Sequence, residues 1–123
     1  MYGFLWVGAG GFLGAIARYA LSLWIDTRFD TPFPVATMLI NVTGSFVLGT
    51  MSGALEFATW PPEVRLALGV GFLGAYTTFS TFTYETLRLI EAGDTAIALG
   101  YVSASVLAGL AAATLGLALG RSF

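Results

Sequence analysis

From Thr77 to Thr83, five of seven side chains carry a hydroxyl, and the other two are the rings of Phe79 and Phe82. The run lies in an apolar stretch, where Leu, Ile or Val would fill most positions of an ordinary buried helix. Hydroxyls can replace part of the water shell of a small ion without adding a formal charge. An aromatic ring has a negative face and a positive edge, so edges turned toward a pathway favour an anion. Faces would favour a cation instead. Phe79 and Phe82 are three residues apart and share a helix face, with Thr78, Thr83 and Glu85 beside them. Two aromatics at that spacing also read as lipid-facing or core packing, and the density of hydroxyls argues against that plainer use.

Other polar groups interrupt apolar runs. Asn41, followed by Thr43 and Ser45, is either glue between helices or an uncharged amide that donates to an anion without holding it tightly. Tyr101 and Ser105 lie four apart on one face of an Ala/Gly-rich run. Glu85 either faces a vestibule or caps the polar end of its helix. Arg18 either attracts an anion or snorkels to lipid phosphate. Gly71 and Gly74 serve packing, or they prepare a broken helix near Gly74–Thr77. A break frees carbonyls that protein, water or an ion must meet, and carbonyl oxygens suit a hard cation. All Asp and Glu fall at expected span ends, so the mid-membrane acid of a proton- or cation-coupled carrier is missing.

Composition identifies the medium that positions these groups. Of 123 residues, 57% are hydrophobic and 10% charged, with mean hydropathy +0.84. A soluble domain carries about 25% charge, so this chain reads as an integral membrane protein. Five Arg against seven acidic residues, without Lys, give no basic block able to neutralise several phosphates, which excludes nucleic-acid binding. Without Cys or His there are no disulfides, thiolate or imidazole chemistry, or usual zinc sites.

Charges punctuate the spans. Helices are expected at about 3–25, 35–55, 64–90 and 95–120, forming a single all-α, four-helix membrane domain over residues 1–123, the third helix broken near Gly74–Thr77. A helix of about 21 residues is roughly 32 Å long, close to the hydrocarbon thickness. Ala15-Ile16-Ala17 resembles a cleavage signal, but no basic residue precedes Arg18, so cleavage is not expected. Gly10 and Gly14, then Ser45, Gly49 and Gly53, then Gly116 and Gly120 recur at four-residue spacing and let backbones approach closely. They pack helices within one chain or form a dimer seam; four short helices are few to enclose a pathway, which favours an oligomer. With a cytoplasmic N-terminus, Arg65 and Arg121 face Arg28 and Arg88 across the membrane, with Arg18 on the latter side if anywhere. So balanced a distribution barely selects an orientation, and an antiparallel dimer of dual topology is expected.

The stretches GGFLGAIARY (10–19), NVTGSFVLG (41–49) and GFLGAYTTFSTF (71–82) resemble the three signature stretches of the Fluc (CrcB) fluoride channels. The match covers the first three helices in order, and the length and four-span layout fit the whole chain. The resemblance implies a channel, not an enzyme, that passes fluoride passively out through the cell membrane and lowers its cytoplasmic level. It implies an antiparallel homodimer in the lipid bilayer with two pores. By that likeness Phe79 and Phe82 line the pore and Asn41 donates to fluoride, with Ser80 and Thr81 on the same pathway. Glu85, Tyr101 and Ser105 match further polar positions, beyond which the face carries Gly109 and Ala112. Backbone carbonyls of Gly74 and Thr77 would hold a structural sodium ion at the dimer centre. Two rivals belong to other classes. A small dual-topology drug or cation transporter needs a membrane-embedded acid, typically in its first helix, and none precedes Asp26. A structural membrane subunit would tolerate Leu or Ile at Phe79 and Phe82.

Overall fold

The charge-free runs fold as long helices. The computed structural model describes residues 2–56 and 58–123; Met1 and Phe57, the latter in the expected second loop, lie outside the described residues. The elements are α1 (Tyr2–Asp26), α2 (Val35–Leu55), α3 (Pro62–Arg65), a π-helical segment (Leu66–Leu73), α4 (Gly74–Tyr76), α5 (Phe79–Glu91) and α6 (Thr95–Gly120). There is no strand among the described residues. Helices α1, α2 and α6 are each long and apolar enough to cross a membrane. Large apolar side chains such as Phe4, Phe12, Leu107 and Leu115 point outward. A bundle with that exterior belongs in hydrocarbon, where every backbone group has to be satisfied internally.

Two seams hold the bundle, and both are cut by glycine. Where α2 meets α6, a Cβ on Gly49 would overlap the Ala113 carbonyl, and one on Gly116 would overlap the Phe46 carbonyl. Where α1 meets the π-helical segment, a Cβ on Gly10 or Gly14 would collide with the Ala67 or Phe72 carbonyl. Lipid offers no hydrophobic drive between helices, so such close contact is a main source of attraction. The glycine faces that could have formed a dimer seam are therefore occupied within one chain. Ion pairing closes the α2–α6 end: Arg121 grips Glu56 with a fork of 2.8 and 2.9 Å hydrogen bonds.

The stretch expected as a third helix over 64–90 differs from the expectation in two ways. Its first half is π-helical from Leu66 to Leu73, a widened turn that sets the Ala67 and Phe72 carbonyls against the α1 glycines. It then stops. Thr77 (ψ 158°) and Thr78 (φ −151°, ψ 120°) are extended, and α5 begins at Phe79. The break thus lies at Thr77–Thr78, at the far end of the interval in which it was expected. Helix α5 ends at a left-handed Gly93 (φ 85°), with the amides of Gly93 and Asp94 returning to the carbonyls of Ile90 and Leu89. That double return satisfies the last carbonyls and turns the chain into α6.

Candidate functional site

Breaking a helix in a non-aqueous setting orphans backbone groups, and Asn41 meets two of them. Its Oδ1 accepts from the Thr78 amide at 2.8 Å, and its Nδ2 donates to the Thr78 carbonyl at 3.0 Å. The Asn41 side chain therefore works as glue, as one of its two expected roles required. An amide has two N–H donors, and only one is spent on Thr78. Asn41, Ser45, Thr77, Thr78 and Phe79 line a cavity of about 210 Å³ that opens at the protein surface. Ser45 steadies this wall by donating to the Asn41 carbonyl at 2.7 Å.

The same break releases carbonyls of the preceding turn. The amide of Thr77 bonds back to Leu73 and that of Thr78 to Asn41, so neither reaches the Gly74 carbonyl. The amide of Thr81, which in a continuous helix would bond to Thr77, is taken by the Thr78 hydroxyl at 3.3 Å. Gly74 and Thr77 thus offer main-chain oxygens of the kind a hard cation prefers. No cluster of His, Cys, Asp or Glu that could bind a metal occurs among the described residues.

A second cluster lies along α5. Glu85 accepts from the Thr37 hydroxyl through Oε1 and from the Tyr101 hydroxyl through Oε2, each at 2.8 Å, which ties α2, α5 and α6 together. Hydrogen bonds to a carboxylate are charge-assisted and offset part of the cost of removing it from water. Tyr101 is fully buried, with Phe33 edge-on at 5.5 Å and the Phe82 ring at 5.1 Å. Phe82 stands 6.0 Å from Phe79, tilted by 46°. The rings therefore form a row, Phe79–Phe82–Tyr101, that starts at the surface, where Phe79 is 76% exposed, and ends at the Glu85 carboxylate. One turn beyond Tyr101, the buried Ser105 hydroxyl has no hydrogen-bond partner among the described residues.

The remaining hydroxyls are drawn to the break. Thr78 donates to Thr81 at 3.0 Å, and the exposed Ser80 hydroxyl lies 3.5 Å from that of Thr78. On the α1 side, Arg18 lines a cavity of about 260 Å³ with Ser22, Thr37, Thr78 and Thr81. No ion pair to Arg18 forms among the described residues. Thr37 is the site residue that sequence reasoning missed. Its signal was present: Thr37, Asn41 and Ser45 recur every four residues along one face of α2.

Comparison with known proteins identifies the family. The family model described as CrcB-like protein, Camphor Resistance (CrcB), matches residues 5–117. A protein of Acidobacterium capsulatum called fluoride-specific ion channel FluC is 47% identical over 119 residues, covering 96% of this chain and 95% of its own. Fluoride-specific ion channel FluC 2 of Moorella thermoacetica is 48% identical over 120 residues, covering 97% and 98%. The FluC of Stutzerimonas stutzeri is 44% identical over 116 residues, covering 94% of each. Similarity at that level extends over nearly the full length of both chains: the chain belongs to the CrcB family, that of the Fluc channels.

Proposed function

We propose that this chain is a fluoride-selective channel that lets fluoride leave the cell passively across the plasma membrane. The observation that carries the reading is the Asn41–Thr78 bracing of the break, which sets a donor-bearing amide, hydroxyls and the Phe79 ring around one open cavity. Neutral donors suit a small, strongly hydrated anion: they replace its water without a charge that would trap it. The names of the relatives support fluoride as that anion.

The broken stretch acts as the third of four spans, with its break near mid-membrane. Exposed polar residues such as Ser80 and Thr83 cannot face lipid without cost, and a second copy inserted in the opposite sense supplies the cover. The antiparallel homodimer then has two pores, each furnished with Asn41, Phe79, Ser80, Thr81, Phe82, Glu85, Tyr101 and Ser105. Gly74 and Thr77 would hold a structural sodium ion at the dimer centre through their main-chain oxygens, and the ion supplies a fixed positive charge there. Reporters fused to the C-terminus and active on one side of the membrane only test the dual topology; signal from a single side refutes it. A proton-coupled carrier would need a carboxylate in mid-membrane, whereas the acids of this chain fall at the expected span ends. The channel reading is tested in a planar bilayer with fluoride and chloride present on both sides in opposing gradients. The zero-current voltage should lie near the fluoride equilibrium potential, and a value near that of chloride would overturn it.

A further inference from the structure

A cavity of about 360 Å³ opens beside Glu85 at the α5–α6 turn, with Pro32, Tyr84, Arg88 and Asp94 in its walls. Behind Glu85 stands the hydroxyl of Tyr101, so this cavity adjoins the inner end of the aromatic row. Its acids pose a problem for an anion path, since Glu85 and Asp94 both repel one. Arg88 is the single cation among the described residues that line it. It lies three residues after Glu85, on the same side of α5 and roughly 4.5 Å further along the axis. Its side chain is 64% exposed, and among the described residues it forms one ion pair, a 2.9 Å bond to Glu91, itself half exposed.

We propose that Arg88 lowers the anion barrier of this mouth by partly offsetting Glu85 and Asp94, so that fluoride can approach, with Glu91 competing for its guanidinium. The inference rests on the channel reading. An exposed i,i+3 pair is worth little to stability, which leaves Arg88 free to act through its field. A positive charge placed there lessens the depletion of a small anion, and its effect is screened by salt, since the Debye length shrinks from about 30 Å at 0.01 M to about 3 Å at 1 M. It sets the entry rate and leaves selectivity to the groups deeper in the pathway.

The test is the initial rate of fluoride efflux from vesicles containing wild type, Arg88→Gln, Arg88→Lys or Glu91→Gln, at low ionic strength and again with a large impermeant salt added. Arg88→Gln should lower the low-salt rate about two- to fivefold and match wild type at high salt. Arg88→Lys should keep the wild-type rate, because a lysine carries the same charge. Glu91→Gln should raise the low-salt rate. Arg88→Gln indistinguishable from wild type at low salt would overturn the proposal, as would an equal loss at both salts, which marks a structural role. Wild type that conducts no fluoride would instead sink the channel reading, and this inference with it.

Discussion

Replacing Asn41 with Ala removes a donor and an acceptor from a place where backbone has no helical alternative. The Thr78 amide and carbonyl lose bonds of 2.8 and 3.0 Å, and both atoms belong to a part-buried contact in a bundle made for lipid. Leaving a buried polar group unmet costs about 1–3 kcal/mol, so two such groups predict a loss of roughly 3 kcal/mol once partial rescue by water in the adjoining cavity is allowed. That is about a hundredfold in the unfolding constant. The assay is reversible unfolding of the purified protein in mild detergent titrated with a denaturing one, followed by the fluorescence of Trp6, Trp24 and Trp60. Wild type and variant must be compared at one protein concentration, because association and folding are linked. Amide exchange at Thr78 gives a local readout and should accelerate in the variant. A stability within about 0.5 kcal/mol of wild type, with Thr78 still protected, would refute the bracing role.

Other outcomes follow from the same geometry. Tyr101→Phe keeps the packing against Phe33 and Phe82 but removes a hydrogen bond to Glu85, so it should cost about 1.5–3 kcal/mol. Adding Thr37→Val should give a non-additive total, since both hydroxyls serve one carboxylate, and simple additivity would count against the cluster. Gly116→Ala pushes a Cβ into the Phe46 carbonyl and should destabilise by about 1–3 kcal/mol, whereas Gly100→Ala, which meets nothing within 4 Å, should be neutral or mildly stabilising in the same titration. The hydrogen bonds and charge of Arg121 hold the Glu56 carboxyl below its ordinary value of 4.5. A carboxyl whose pKa is lower in the folded state adds stability that is fully present above 4.5 and is lost as pH falls through the lower folded value. Glu56→Gln should therefore flatten the acid limb of the stability curve below that point; an unchanged limb would show that the fork is energetically silent. Phe82→Ile should leave a normally eluting, folded protein with strongly reduced fluoride flux, and normal flux would reduce the rings to packing.

How much of this was legible in the sequence depended on the range of the interaction. The bounds of α2 and α6 coincide with the expected 35–55 and 95–120, because charges and prolines end those runs and lipid demands helix in between. The break was visible as glycines followed by hydroxyls. Its position at Thr77–Thr78 depended on Asn41, 37 residues away in the chain, capturing the Thr78 backbone. The π-helical turns left no periodic mark, since they arise from fitting carbonyls against the glycines of α1. Glycine spacing announced close approach but could not name the partner, and the seams proved to be α1 with the π-helical segment and α2 with α6. Glu85 was visible as an acid near a span end. That Thr37 and Tyr101 would bind its two oxygens is a tertiary fact, although the four-residue recurrence along α2 already marked that face as polar.

The most direct measurement of the central claim is simultaneous release of two halides from vesicles holding the purified protein. Vesicles are loaded with equal fluoride and chloride, the gradient is opened, and one selective electrode follows each ion. Fluoride should leave rapidly while chloride stays inside at the level of protein-free vesicles. Chloride release at the fluoride rate, or no fluoride release from correctly folded protein, would contradict the account.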